Sequence, residues 1–161
     1  APIYEGTNGI QAADLVFRKL PLGGGQVVEK LLLDMGNLAA DLSEDERLVS
    51  IGRALEEGTQ KLSEAGLWLG SRLAAEPNDA AAGATPFMRL AGVVIGGYYL
   101  ARSAQVAQQL LDSEDGDTDF LTDKIATALF YAEQVMPTVY GLVPAITQGA
   151  ERLFAIPNER L

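Results

Sequence analysis

Apolar residues recur every three or four positions along almost the whole of this 161-residue chain, which is the period of an α-helix. The last third of the chain is the most regular, because its steps alternate between four and three without a break, as in the seam of a helix bundle. That seam consists of Ile125, Leu129, Ala132, Met136, Val139, Val143, Ile146, Ala150 and Leu153. No segment shows the alternation of a β-strand. We therefore predict an all-α chain, an up-down four-helix bundle preceded by one short helix.

Each predicted helix has an apolar face that would form the core. The short helix carries Ile10, Ala13, Phe17 and Leu20, and the second helix carries Val28, Leu31, Leu32, Met35, Leu38, Ala39 and Leu42. The third carries Leu48, Ile51, Leu55, Gly58, Leu62, Ala65, Leu69 and Leu73, and the fourth carries Leu90, Val94, Tyr98, Ala101 and Leu111. Gly92, Gly96 and Gly97 are predicted to let a neighbouring helix approach the fourth helix closely.

Turn-forming residues predict where these helices begin and end. Pro21 ends the short helix, and Gly23–Gly25 follow as a flexible joint without the spacing of a phosphate-binding loop. Residues 43–46, Ser-Glu-Asp-Glu, have the form of a capping box for the third helix. Residues 76–79 end that helix, and after an Ala/Gly-rich loop Thr85 and Pro86 are expected to begin the fourth. Pro137 and Pro144 should bend the last helix.

Composition excludes several classes of function. The chain contains no cysteine and no histidine, which removes disulfides, thiolate or imidazole metal sites and Ser–His–Asp catalysis. With 12 basic and 22 acidic residues its net charge is −10, so we expect no nucleic-acid partner. The longest apolar stretch, Leu90 to Ala101, is too short for the roughly 20 residues of a membrane span. The N-terminal residues lack the pattern of a signal peptide, so the default expectation is a cytoplasmic location, with an organelle matrix as the alternative.

Acidic and aromatic clusters offer little chemistry by themselves. The stretch Asp112 to Asp119 fails the EF-hand pattern at its first and twelfth positions, so we predict a solvated loop with a helix cap and no metal site. The carboxylate pairs Asp45-Glu46 and Glu56-Glu57 are expected to be solvated. Trp68 and the pair Tyr98-Tyr99 could line a pocket, although such aromatic residues more often lie in the core or an interface.

The segment Ile3 to Gln11, I-Y-E-G-T-N-G-I-Q, places a carboxylate between an aromatic residue and a glycine, just before a helix. Such a turn could present Glu5 as a base, with the following backbone N–H groups facing an anion at the start of the helix. It could equally be a capped turn with an exposed glutamate. The residues alone leave both interpretations open.

This segment resembles the Y-E-G-T motif of acyl-CoA dehydrogenases, including the Ile-Gln that opens the next helix, and the resemblance covers residues 3 to 20 closely. The remainder is similar to the extra C-terminal helical domain of one bacterial subgroup, in AGATPFMRLAGVVIGGYYLARSA and FYAEQVMPTVYGLV. The resemblance implies that Glu5 removes the α-proton of a fatty acyl-CoA while the β-hydrogen leaves as hydride to a flavin. It further implies that Thr7, Asn8 and Gly9 border FAD, and that Tyr4, Glu5 and Gly6 contact the substrate.

In that family the motif lies near the end of a large catalytic region, whereas here only Ala1 to Ile3 precede it. The resemblance therefore implies a C-terminal piece: residues 1–20 as the tail of the catalytic domain, 21–25 as a Gly-rich joint and 26–161 as the helical bundle. The parent would bind FAD and acyl-CoA, pass electrons to an acceptor and form a homo-oligomer, while this chain alone is not expected to hold FAD. The alternative is a non-catalytic bundle for oligomerisation or interdomain packing.

Overall fold

The computed structural model describes residues 7–160, which form helices and turns without any strand. The helices are α1 (Thr7–Asp14), α2 (Gln26–Ser43), α3 (Val49–Arg72), α4 (Pro77–Asp112), α5 (Thr118–Phe130) and α6 (Val139–Thr147). A π-helical turn, Leu15–Lys19, extends α1, and a second π-helical turn, Tyr131–Val135, links α5 to a 3-10 turn and α6. The prediction of an all-α helical bundle is confirmed.

The centre of the bundle is the pair α3 and α4. The α2 helix packs mainly on α3, α5 and α6 pack on α4, α6 also contacts α3, and α1 lies against α4. The connections at residues 44–48, 73–76 and 113–117 are short, so successive helices run antiparallel. The fourth helix of the bundle is thus α5 and α6 together.

Along α3 the predicted face is the observed one. It buries Ile51, Leu55, Gly58, Leu62, Ala65 and Leu69, and Leu48 is buried just before it. In α2 only the C-terminal half is fully buried, through Met35, Leu38, Ala39 and Leu42. Its first two turns are therefore at the edge of the core.

The predicted start of the fourth helix is wrong. The Ala/Gly-rich segment is helical and α4 begins at Pro77, which takes the position that proline favours. The reason is tertiary packing: a Cβ added at Gly83 would lie 2.7 Å from the carbonyl oxygen of Ile146, so α4 and α6 are nearly in backbone contact there. Burial of Ala84 and Phe87 on either side of Pro86 offsets the backbone hydrogen bond that this proline cannot donate.

The predicted capping box is also wrong. Ser43 is the last residue of α2, and its hydroxyl donates to the Ala39 carbonyl oxygen at 2.8 Å. The residue before α3 is Leu48, which makes no side-chain cap. The connection is instead held by Arg47, whose guanidinium donates to Asp45 at 2.7 Å and to Asp112, at the end of α4, at 2.7 Å.

The last predicted helix is divided in two around Pro137, which lies in the 3-10 turn Met136–Thr138. The predicted seam residues from Ala132 to Ala150 are buried as expected, but Leu153 is 69% exposed and lies outside the core. In α5 the buried residues are Leu121 and Ala128, whereas Ile125 and Leu129 are half-buried. Pro137 thus interrupts the helix but not the buried seam, and Pro144 lies inside α6.

Two of the three glycines predicted to permit close approach do so. A Cβ at Gly96 would lie 2.7 Å from the Tyr131 hydroxyl oxygen, and one at Gly97 would lie 2.7 Å from the Met136 sulfur. The same hydroxyl donates to the Val93 carbonyl oxygen at 3.0 Å. Gly92 has open space around it.

Two glycines of α4 provide a matched pair of substitutions. Gly83→Ala should lower the free energy of unfolding by roughly 1–3 kcal/mol, because the added methyl group meets a backbone oxygen of α6. Gly92→Ala should raise it by roughly 0.5–1 kcal/mol, because alanine is the better helix former and nothing obstructs it. Urea unfolding of both variants checks this, and equal effects would contradict the close contact.

Acid should weaken the contact that Arg47 makes. Its hydrogen bonds lower the pKa of Asp45 and of Asp112 below the usual range for aspartate. A carboxylate with a lowered pKa in the folded state stabilises the fold above the unfolded pKa, and this contribution is lost as the pH falls through the folded pKa. Replacing Arg47 with Gln should therefore make the melting temperature less sensitive to acidification from about pH 4 downwards. Arg53→Gln, at another exposed arginine, should leave the acid dependence unchanged; equal behaviour of the two variants would contradict the role of Arg47.

Candidate functional site

Three of the six predicted site residues lie outside the described residues, and three lie within them. Tyr4, Glu5 and Gly6 lie outside the described residues. Thr7, Asn8 and Gly9 form the first turn of α1, where Thr7 is half-buried and the other two are exposed.

This first turn has the electrostatic character that an anion favours. The first four N–H groups of an α-helix have no acceptor within the helix, and the helix dipole places partial positive charge there. No acidic residue occupies the first turn of α1. Its backbone donors are therefore able to face a negatively charged group.

The bundle holds α1 through a face different from the predicted one. Ala12 and Val16 have no exposed surface and join the main core, together with the predicted Leu20. Ile10 is 74% exposed and Phe17 is 40% exposed, so the face that these two share is open. The helix that carries the motif is thus fixed on α4 by one side and free on the other.

A tight glycine turn separates α1 from α2. Gly23, Gly24 and Gly25 have φ values of +61°, +68° and +90°, a region that other residues enter only with strain. The turn needs glycine for its conformation, whereas its flexibility and its role as a domain boundary stay predictions.

A groove of about 350 Å³ lies on the surface between α4 and α5. Residues from both helices line it: Tyr99, Arg102, Ser103, Val106, Ala107, Leu110, Phe120, Leu121 and Lys124. Of the predicted aromatic pair, Tyr98 is buried in the core, while Tyr99 is 61% exposed and borders the groove. Trp68 is half-buried with the Arg72 guanidinium 5.4 Å from its ring.

Sequence reasoning missed the two cations of this groove. Arg102 shares one side of α4 with Tyr99 and Val106, at helical spacing, and this pattern could have indicated a common surface. Lys124 comes from the next helix, and only the fold brings it into the same groove as Arg102.

The acidic loop caps a helix as predicted. The Asp117 carboxylate accepts a hydrogen bond from the Phe120 N–H at 3.1 Å and begins α5. Across residues 7–160 no three acidic side chains cluster as a metal site would require. Of the carboxylate pairs, Glu57 is exposed but accepts a hydrogen bond from the Tyr140 hydroxyl, which raises the pKa of that tyrosine.

The α4 helix is long and apolar enough to cross a membrane by length and composition. Its most apolar window is 44% buried inside the bundle, and a core helix passes the same test. This single helix is weak support for a membrane span.

Comparison with known proteins agrees with this architecture. The sequence profile described as "Acetyl-CoA dehydrogenase C-terminal like" matches residues 31–157. The chain is 36% identical over 142 residues to a 3-methylmercaptopropionyl-CoA dehydrogenase of Ruegeria pomeroyi, covering 84% of this chain and 23% of that protein. It is 27% identical over 163 aligned positions to a butyryl-CoA dehydrogenase of Syntrophomonas wolfei, covering 98% of this chain and 26% of that protein.

The chain therefore spans about a quarter of the length of these curated relatives. The profile match covers α3, α4, α5 and α6 entirely and most of α2. The chain belongs to the acyl-CoA dehydrogenase family, as a C-terminal fragment that contains its helical C-terminal domain.

Proposed function

We propose that this chain is the C-terminal part of an FAD-dependent enzyme that oxidises the α,β bond of an acyl-CoA thioester. The observation that supports this most is that the threonine of the Y-E-G-T sequence begins α1, a helix whose buried residues join the core of the bundle. Both relatives carry the name of an acyl-CoA dehydrogenase. Acyl-CoA and an electron-transfer acceptor would be partners of the whole protein.

In this proposal Glu5 accepts the α-proton of the substrate, and Tyr4 and Gly6 contact the acyl-CoA. A thioester α-proton is a weak acid in water, so its removal needs a positioned base, a polarised carbonyl and an electron sink together. FAD, when bound to the parent, supplies the electron sink. The Glu5 backbone N–H could help to polarise the thioester carbonyl.

The described residues fit a border of the FAD site but not the whole of it. The first turn of α1, with Thr7, Asn8 and Gly9, offers free backbone donors and carries no acidic residue. The groove and a smaller cavity of about 40 Å³ are both lined by residues of later helices, not by this turn. The enclosure of the flavin ring would therefore come from the parent's catalytic region.

The bundle would act by positioning. It buries Ala12 and Val16 on one side of α1 and leaves Ile10 and Phe17 exposed on the other. We propose that the catalytic region of the parent covers this exposed face. The motif helix would then be held between the two parts of the protein.

A second candidate function is packing alone. Several large apolar side chains outside α1 are open to solvent, among them Leu67 at 74% and Phe130 at 63%. A contiguous patch of such side chains would favour contact with another subunit or domain, and the bundle would then serve homo-oligomerisation without a part in catalysis.

The test of the proposed base uses the full-length parent. Glu5→Gln should slow flavin reduction by acyl-CoA roughly 10²–10⁴-fold while FAD stays bound, because the amide cannot accept the proton. Anaerobic titration with acyl-CoA, followed by flavin bleaching, measures this rate. Glu57→Gln, on α3, is the control and should bleach at the wild-type rate. Wild-type bleaching by the Glu5 variant would remove this residue from the mechanism and favour the packing function.

The proposed covering of α1 is tested by one substitution in two proteins. Ile10→Ser should change the unfolding free energy of the 161-residue chain by less than about 0.5 kcal/mol, because the side chain is exposed. In the full-length parent the same change should be clearly destabilising, because it would place a hydroxyl in an apolar interface. Val16→Ala should destabilise the 161-residue chain by roughly 1–3 kcal/mol. An Ile10 effect equally small in both proteins would show that nothing covers this face.

A further inference from the structure

Exposed apolar side chains continue beyond α1 into the glycine turn and the start of α2. Phe17, at the end of the motif helix, is 40% exposed, Leu22 in the turn is 55% exposed and Val27 in the first turn of α2 is 56% exposed. A Cβ added at Gly23 would lie 3.8 Å from a methyl carbon of Val27, so the turn and the start of α2 lie against each other. The open surface of α1 is thus extended by the residues that follow it.

The first half of α2 is apolar on more sides than the bundle covers. Residues 27, 28 and 31–33 are all valine or leucine, yet none of the five is fully buried. Val28, Leu31 and Leu32 are half-buried against the core, whereas Val27 and Leu33 are exposed. A helix with apolar residues on several faces is normally buried on those faces. This part of α2 therefore lacks a cover that the bundle does not supply.

The charges of the chain also distinguish this part of the surface. Residues 1–33 contain three acidic and three basic residues, so the whole net charge of −10 belongs to residues 34–161. The cations Arg18 and Lys19 both pair with the carboxylate of Asp14. Charged groups are costly to remove from water unless they are paired, so contact with another domain is less costly here than on the acidic remainder of the chain.

The part of the relatives that this chain does not cover is the occupant that fits the surface. The chain spans 23% and 26% of the two dehydrogenases, so about three quarters of each lies outside it. The profile of the C-terminal domain begins at residue 31, and α1, the glycine turn and the first turn of α2 precede that match. The uncovered apolar surface thus lies on the segment that would join the domain to the rest of the enzyme.

We propose that the catalytic region of the parent docks over the glycine turn and the first half of α2, through Leu22 and Val27, as well as over the open face of α1. Residues 23–25 would then be enclosed in a rigid contact between domains instead of acting as a flexible joint. The existence of a catalytic region rests on the proposed function, but the docking does not depend on Glu5 as the base.

Hydrogen–deuterium exchange, followed by mass spectrometry on the full-length parent and on the 161-residue chain, tests the docking. The first N–H groups of α2 lack acceptors within the helix, so residues 22–29 should exchange readily in the 161-residue chain. In the parent we expect them to exchange at least roughly tenfold more slowly, because the contact excludes water and opens less often. Residues 103–110 of α4 should exchange alike in both proteins.

Two exposed valines provide matched variants. In the parent, Val27→Gln should speed the exchange of residues 22–29 at least about threefold, because a polar amide would lie in the apolar contact. Val106, on α4, is 51% exposed, and Val106→Gln should leave the exchange of residues 22–29 unchanged. Circular dichroism of the 161-residue chain should show that both variants are folded, since both side chains are exposed there.

Three outcomes would overturn the proposal. The first is equally fast exchange of residues 22–29 in the two proteins. The second is slowing that extends equally to residues 103–110 or that the Val27 variant keeps in full, since neither result would locate the contact at the turn. The third is slow exchange in the 161-residue chain that becomes slower as its concentration rises, which would identify a second copy as the occupant. The Glu5→Gln titration measures flavin reduction and this experiment measures exchange, so either can fail without the other.

Discussion

The close packing of α4 against its neighbours is the contact on which the rest of the structure depends. Glycine permits the closest approaches to α4: a Cβ at Gly83 would meet the Ile146 carbonyl oxygen, one at Gly96 would meet the Tyr131 hydroxyl, and one at Gly97 would meet the Met136 sulfur. Because interiors are packed at the density of organic crystals, one methyl group at such a position forces the partner to move. The α4 helix therefore serves as the surface on which α1, α3, α5 and α6 assemble.

This central position gives the motif helix its place. Isolated helices as short as α1 are marginal in water, so α1 depends on tertiary packing. Burial of Ala12, Val16 and Leu20 supplies that packing. A Y-E-G-T segment joined to such a helix would inherit a fixed position relative to α4. In the proposed enzyme, the C-terminal domain would thus contribute to catalysis by orientation rather than by a reacting group.

Much of the fold could be predicted from the sequence, because most of it follows from local periodicity. The buried stripe of α3 is a regular repeat, and the seam from Ala132 to Ala150 kept its pattern through two prolines. The errors have non-local causes. The start of α4 is decided by a contact of Gly83 with a residue 63 positions later, and the connection before α3 is held by Asp112, 65 positions from Arg47. Local patterns such as Thr85-Pro86 and the capping-box form of residues 43–46 carry no information on contacts between distant residues.

In the candidate site, too, the features set by local sequence could be predicted and those set by contacts between helices could not. The motif is recognisable because its residues are contiguous. The docking face of α1 is misassigned because Ala12, Val16 and Leu20, in steps of four, fit a helical period as well as Ile10, Ala13 and Phe17, in steps of three and four. Two faces of one short helix cannot be ranked by periodicity alone when both carry apolar residues. The groove cannot be read from the sequence because its two sides come from different helices, α4 and α5, which only the fold brings together.

The central claim, that the bundle itself fixes the motif helix, is tested most directly by amide hydrogen exchange in the 161-residue chain. The account predicts that the Val16 amide is protected within roughly tenfold of the Leu62 amide in α3, because both belong to one cooperative core. Exchange of Val16 at the rate of an unstructured peptide, while Leu62 stays protected, would show that α1 is not held by the bundle and would contradict the account.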